Sequence, residues 1–470
     1  MTEFPVFPPV YWANQIPQQT AIVWKKGNSA LFSQLPSSLS WRQFYQLLAQ
    51  TSHWLQRRHI PFKDKIIAYS GAHRLAGLLC YLSVIAEGGR ILVLNPNLPS
   101  IQQKAILADN HVDLLLQDND FVEFSPNLTA CNKQWQIDWD LKRPATFTLT
   151  SGSSGKPKAV VHSIFSHLLN AEGVCRLMQF EQQHSWLLSL PLFHVSGQGI
   201  VWRWLLRGAS LSLCEEKADF YPLLAKTSHA SLVPTQLQRY LYADLAKKYG
   251  QKILLGGSYI PAELISVAQQ VGITTFAGYG MTEMASTICA VEQETDNVGK
   301  PLLGRLVKII QDQIYLQSDC LALGYWQAGR IEPLPKVEDW FATKDKGAWT
   351  ADGKLIINGR LDNMFISGGE NIQPEQIEQV LYASMLVQNV LVIPQDDAEF
   401  GQRPVAFVQF IEDFSSQAVE KLQNFAKQYL EKFKQPIAYF SLDDYLTSTN
   451  TGIKISRKGL QDYLQQISNR

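Results

Sequence analysis

The chain has almost no net charge, because 42 basic residues face 42 acidic ones. That balance argues against a nucleic-acid protein driven by bulk attraction to phosphate. No long block of like charge appears, which removes the usual sequence basis for polybasic attachment to a membrane. Cysteine is sparse and scattered. The six residues Cys80, Cys131, Cys175, Cys214, Cys289 and Cys320 form no CxxC pair and no Cys/His cluster. Neither a zinc site nor a disulfide framework is expected, and buried reduced thiols are. Long apolar runs are missing too. The longest helix-like one, Ala76–Ala86, falls far short of the roughly 20 residues that cross a bilayer. The opening MTEFPVFPPV carries an acid and three prolines where a signal peptide needs a basic stretch and then an apolar run. The expectation is a cytoplasmic protein with no membrane span and no nucleic-acid partner. Homo-oligomerisation is left open.

What is present suits a large α/β protein. At 470 residues, with 46% hydrophobic residues and 12 Trp, the chain can fill more than one core. WRQFYQLLAQTSHWLQRR (41–58) has apolar residues at helical spacing. KIIAYSG then reads as a strand with a glycine turn, followed by a helix to Ala86 stopped by Gly88 and Gly89, and by the strand RILVLNP. Strand, helix, strand at this spacing predicts a βαβ unit and a largely parallel sheet. The pattern recurs at HASLVPTQLQRYL and at KILLGGSYIPAELISVAQQVGITTFAGYG. Beyond about residue 300 short antiparallel strands are expected, then a compact helix, strand, strand, helix segment with a polar tail. The texture places a small C-terminal domain after a boundary near residue 360.

TFTLTSGSSGKPKAVVHS (146–163) is the segment best equipped to hold phosphate. It is not a Walker loop. Gly152 and Gly155 stand two residues apart rather than four, Pro157 follows Lys156 where a magnesium-binding hydroxyl belongs, and AVVHS is strand-like where a helix must open. The reading is strand, loop, strand. Gly152 and Gly155 free backbone N–H groups to face an anion, Thr150, Ser151, Ser153 and Ser154 add hydroxyls, and Lys156 and Lys158 add charge. Taken alone, it is also compatible with an ordinary polar hairpin turn.

The loop resembles the signature of the adenylate-forming superfamily of acyl-CoA synthetases, luciferases and peptide-synthetase adenylation domains, with Ser154 where Thr is usual. Further segments follow in that family's order. GYGMTE (278–283) resembles its nucleotide motif. The resemblance implies that Tyr279 stacks on adenine beside Gly278, Gly280 and Met281, that Thr282 contacts the α-phosphate, and that Glu283 holds Mg²⁺. Within LLGGSYIP, Gly256, Gly257 and Ser258 resemble the turn along the other face of adenine. FATKDKG places Asp345 as the ribose carboxylate, which can accept from both hydroxyls. NGRLDNMFISGGENIQPEQIE resembles the hinge motif, implying that Arg360 reaches ribose or phosphate, that Asp362 is the hinge, and that Gly368 and Gly369 line the coenzyme A tunnel. TGIKISRKGL resembles the C-terminal lysine motif with Ile453 where Gly is common; Lys454 keeps the spacing to Arg457 and takes the catalytic role, with Lys458 as its rival.

Together with LPLFHVSGQG, these segments resemble the o-succinylbenzoate–CoA ligase family over nearly the whole chain. The implied fold is α/β: a large N-terminal domain, residues 1–361, of mostly parallel sheets sandwiched by helices with a β-barrel-like subdomain, and a small mobile α+β domain, residues 362–470. The implied substrates are 2-succinylbenzoate, ATP with Mg²⁺, and coenzyme A. His194, Ser196 and Gln198, with Gly280 and Thr282, are the implied acyl contacts. Three other functions stay open at this point: another aryl- or acyl-CoA ligase, an adenylation protein that loads a carrier thiol, and a nucleotide-binding protein without catalysis. Intact Thr282, Glu283, Asp345, Arg360 and Lys454 argue against the last.

Overall fold

The computed structural model describes residues 4–128, 139–151, 157–243, 245, 250–449 and 455–468. Gly152, Ser153, Ser154, Gly155 and Lys454, all singled out above, lie outside the described residues.

Local signals in the sequence set the first helices. Trp41–Arg58 begins with a capping box, in which Ser40 Oγ accepts from Gln43 N and the Gln43 side chain accepts from Ser40 N. Its buried residues Trp41, Phe44, Leu47, Leu48, Thr51 and Leu55 recur every three or four positions, and Arg57 and Arg58 close it at the negative end of the dipole. Arg74–Ala86 is instead buried on all sides from Leu75 to Ala86. It stops at Gly88, whose φ of 81° suits a residue without Cβ.

The chain packs as two units: residues up to 152, 157–306 and 317–339 in the first, and 307–316 and 340–470 in the second. The first holds two sheets. One runs Ser286–Glu292, Thr274–Met281, Lys252–Leu255, His229–Leu232, Ser185–Leu187, Ser210–Cys214, Thr20–Lys25, Ser38–Ser40. It is parallel except for its two edge strands. The other runs Arg330–Glu332, Gly324–Gln327, Pro157–Ser163, Pro144–Ser151, Arg90–Val93, Ile66–Tyr69, Leu114–Leu116. It is parallel at the Leu114–Leu116 end and antiparallel from Pro144–Ser151 onward. The largest core joins the helices Trp41–Arg58, Arg74–Ala86, Ile164–Met178 and Val195–Arg207, with Trp41 stacked on Trp204 at 5.0 Å.

In the second unit, antiparallel strands Gln313–Gln317, Trp340–Trp349 and Leu355–Arg360 form one sheet. The C-terminal sheet pairs Val387–Asp397 with Gly401–Phe410 and adds the hairpin Phe365–Ser367/Glu370–Ile372 and the parallel strand Tyr439–Ser441. Strict alternation puts Ala406 and Val408 on one face and Val405 and Phe407 on the other. Helices Pro374–Ala383 and Ser416–Tyr429 cover the first face. The second corrects one expectation. The segment read as a polar tail forms helices Leu442–Thr449 and Arg457–Ser468, because Leu442, Tyr445, Leu460 and Leu464 cover Ile393, Val405 and Phe407. The strands 307–316 and 340–360 pack with the C-terminal segment. The division at 361/362 is a statement about motion and returns below as a proposal.

Among the described residues no helix is long and apolar enough to cross a membrane. Cys80, Cys175, Cys214, Cys289 and Cys320 are buried free thiols.

Candidate functional site

The GYGMTE segment is built under tight steric control. Thr274–Met281 pairs antiparallel with Ser286–Glu292 and passes into a one-turn 3₁₀ helix, Thr282–Met284. A Cβ at Gly280 would lie 2.1 Å from Ser286 O, so no other residue fits there. The return is strained, with φ of 55° at Ala285 and 125° at Ser286. Strain of this kind persists where surroundings impose it, commonly at functional sites. Gly278 approaches Leu255 O, and a Cβ there would sit at 3.1 Å. Gly256 follows that strand, Gly257 has φ of 88°, and Ser258 is exposed beside them. The two glycine segments therefore lie side by side at the ends of adjacent parallel strands, and Tyr279 and Met281 are half-buried.

Glu283 is buried, and its Oε1 accepts from the Tyr325 hydroxyl at 2.9 Å. Among the described residues no basic side chain pairs with it. The same tyrosine ring lies under Lys158 Nζ, 5.4 Å from the centroid. Lys158 stands opposite Thr150 in the antiparallel pair Pro144–Ser151/Pro157–Ser163, and Ser151 opposite Pro157. Thr150, Lys158 and Glu283 are thus brought together through Tyr325, a residue the sequence reading passed over. Burial pushes the Tyr325 phenol well up, and the neighbouring Glu283 charge adds to it, so it is a neutral donor. His162 sits behind the Thr282–Glu283 backbone, where burial pushes its imidazole down to about 4.

The segment LPLFHVSGQG opens the helix Val195–Arg207. His194 occupies its N-cap position against Phe193, and Ser196 is half-buried in the first turn. The Gln198 side chain is wholly buried and its carboxamide is hydrogen-bonded within the protein. Nε2 donates to Thr148 Oγ1 and Leu192 O, both at 3.0 Å, and Oε1 accepts from Tyr81 at 3.5 Å. It braces the strand that leads to Thr150.

Arg203, which no motif assigned, is a buried charge. Its side chain is 1% exposed. Nη1 donates to Ser231 Oγ at 3.1 Å and Nη2 to Thr287 Oγ1 at 3.4 Å, the guanidinium lies 5.0 Å from the Trp186 ring, and Nε has no partner among the described residues. Thr287 is the residue paired with Gly280. The space next to Nη2 is kept by Gly199, where a Cβ would come within 3.2 Å. Burial lowers the guanidinium to about 10, and no carboxylate opposes that shift. A buried cation without an acid is costly, which marks a place suited to an incoming anion.

In the second unit Arg360 joins two carboxylates. Nη1 reaches Asp345 Oδ1 at 2.9 Å, while Nε and Nη2 hold Asp362 bidentately at 2.9 and 3.0 Å. Asp345 is buried in the strand Trp340–Trp349. Burial pushes the Asp362 carboxyl up, but Arg360 and Lys344 outweigh it and leave it below the usual range. Gly368 and Gly369, with φ of 58° and 89°, form the two-residue turn of the hairpin Phe365–Ser367/Glu370–Ile372.

Comparison with known proteins agrees with this geometry. The model of the AMP-binding enzyme family matches residues 11–326, and that of the AMP-binding enzyme C-terminal domain matches 376–452. The chain is 48% identical to 2-succinylbenzoate–CoA ligase of Haemophilus influenzae, over 91% of this chain and 93% of that one. It is 42% identical to the Salmonella typhimurium protein of the same name, with the same coverage. A solved structure of an E. coli MenE variant with bound OSB-AMS superposes with a TM-score of 0.84 at 34% identity, covering 99% of each chain. The chain belongs to the AMP-binding enzymes and, among them, to the 2-succinylbenzoate–CoA ligase family.

Proposed function

We propose that the protein joins 2-succinylbenzoate to coenzyme A at the expense of ATP, through an acyl-adenylate, in menaquinone or phylloquinone biosynthesis. The observation that carries the substrate reading is Arg203, a buried guanidinium without an acid, set behind Gly280 and Thr287. A substrate with two carboxylates suits it: the succinyl carboxylate reacts while the ring carboxylate stays charged and meets Arg203. His194 and Ser196 flank the same helix start. The cytoplasm is the proposed compartment.

In the first step an oxygen of the succinyl carboxylate attacks the α-phosphorus of ATP. A P–O bond forms, the bond to the β-phosphate oxygen breaks, and pyrophosphate leaves. The carboxylate is a weak nucleophile, so the protein must act by positioning and by charge. Thr150, Ser151 and Lys158, with Gly152, Ser153, Ser154 and Gly155, take the β- and γ-phosphates. Thr282 takes the α-phosphate, and Gly256, Gly257, Ser258, Gly278, Tyr279 and Met281 enclose adenine. Asp345 accepts from ribose, and Arg360 is already aimed at Asp345. Lys454 bridges carboxylate and phosphate.

Mg²⁺ fits Glu283. The carboxylate is buried, oriented by Tyr325 and free of any described cation, and the described residues form no larger acidic cluster. One carboxylate plus substrate phosphates is a usual magnesium environment. Bound there, the ion would offset phosphate charge.

In the second step the small domain, residues 362–470, turns about Asp362, withdraws Lys454 and brings in Gly368 and Gly369. The coenzyme A thiolate attacks the acyl carbon, the C–S bond forms, and AMP leaves. No covalent enzyme intermediate is needed. Exchange of labelled pyrophosphate into ATP tests the reading. It is expected with 2-succinylbenzoate, and silence with every acid supplied would favour a non-catalytic nucleotide-binding protein.

A further inference from the structure

Arg457 opens the last helix, Arg457–Ser468. A cation at that end opposes the helix dipole and does nothing for the helix itself. Its partners lie elsewhere. Nη2 contacts Glu378 Oε1 at 2.6 Å and Glu375 Oε1 at 3.3 Å, and Nε donates to Val392 O at 3.3 Å. Glu378 is buried and also accepts from Val392 N at 2.7 Å. Both acids belong to the helix Pro374–Ala383.

The contacts continue from there. Glu375 Oε1 accepts from Asn363 at 2.5 Å, and Glu375 Oε2 accepts from Gln373 Nε2 at 2.5 Å. Gln373 Nε2 also donates to Arg360 O at 2.9 Å. Gly359 makes this approach feasible, since a Cβ there would stand 2.6 Å from Gln373 Nε2. Arg360 then holds Asp345 and Asp362. One polar chain, inside one unit, therefore joins the Asp345–Arg360–Asp362 cluster to the start of the last helix. In the sequence Lys454 precedes Arg457 by three positions.

We propose that Arg457 is a positioning residue for adenylate formation: clamped by Glu378 and Glu375, it fixes the start of the last described helix relative to the Arg360 cluster. This rests on the reading of Lys454 given above. An arginine suits the task because its donors sit in a rigid planar group, so that Nη2 and Nε keep fixed directions toward the two carboxylates and the carbonyl, whereas a lysine offers one freely rotating ammonium. Misplacement of a catalytic group by about 1 Å can cost on the order of 100-fold in rate. The step that uses Lys454 should suffer, and the step that does not should be spared.

The test compares Arg457→Ala, Arg457→Lys, Lys454→Ala and the Lys454→Ala/Arg457→Ala double variant in the full chain. Two half-reactions are followed: acid-dependent pyrophosphate–ATP exchange, and thioester formation from supplied acyl-adenylate and coenzyme A. Arg457→Ala is expected to lower exchange by roughly 10- to 100-fold and to leave thioester formation near the wild-type rate. Arg457→Lys is expected to fall in the same direction and keeps the test open if the alanine variant folds poorly. The double variant should be no slower in exchange than Lys454→Ala alone. Equal loss of both half-reactions, or no loss, in Arg457 variants while Lys454→Ala is selectively defective would overturn the inference. A Lys454→Ala protein with normal exchange would overturn the reading of Lys454 and, with it, this proposal.

Discussion

The Tyr325 hydroxyl donates to Glu283 Oε1 at 2.9 Å while its ring lies under Lys158. One side chain thus orients the proposed magnesium carboxylate and a proposed phosphate cation. Partners that orient a metal ligand commonly contribute tenfold or more to metal affinity. Tyr325→Phe is therefore expected to raise the Mg²⁺ concentration for half-maximal pyrophosphate exchange by about tenfold. A magnesium titration of exchange checks this, and an unchanged midpoint would count against the role given to Glu283.

Arg203 predicts a trade between binding and stability. Removing a buried cation that lacks an acid relieves desolvation. Arg203→Met is expected to raise the KM for 2-succinylbenzoate about 10- to 100-fold, the range of a charged hydrogen bond. Its thermal midpoint should be equal to or above that of the parent. A lower midpoint with normal KM would make Arg203 a structural residue only.

Lys454→Ala is expected to abolish most adenylate formation while sparing thioester formation from supplied adenylate. Rapid-mix measurement of each half-reaction decides this. Equal loss of both would mean that one domain arrangement serves both steps.

Buried histidines predict acid sensitivity. Burial lowers His162 and His229 to about 4 and His167 well below its usual value. Unfolded histidine titrates near 6.5. Between those values the unfolded chain binds more protons, so stability rises with pH there. The contribution is complete above about 6.5 and is lost as pH falls through about 4. Burial raises Glu378 to about 7, which works the other way, its contribution fading as pH rises through that value. Three histidines outweigh one glutamate. Each histidine adds about 1.4 kcal/mol per pH unit within its window. Denaturation of His162→Asn across this range should show a slope shallower by about that amount; an identical slope would mean that His162 is protonated in the folded protein.

The elements legible in the sequence were those whose cause is local. The helical spacing of 41–58 and the Gly88 stop each depend on a few adjacent residues. The strand, loop, strand reading of 146–163 follows from Pro157 and the β-branched exit. Less legible were features created by distant partners. Tyr325 meets Glu283 only because its strand pairs with Pro157–Ser163. The isolation of Arg203 is a fact about what surrounds it, which no spacing reveals. The inward turn of the Gln198 carboxamide to Thr148 is likewise set by a partner 50 positions away. The last helices looked like a polar tail because only one narrow face of each is apolar.

The most direct test of the central claim is pyrophosphate release with purified protein, ATP and Mg²⁺, with and without coenzyme A, against a panel of acids. The account predicts release with 2-succinylbenzoate, thioester only when coenzyme A is added, and little of either with benzoate, fatty acids or the analogue lacking the ring carboxylate. Equal turnover of that analogue, or turnover of benzoate or fatty acids with none of 2-succinylbenzoate, would contradict it.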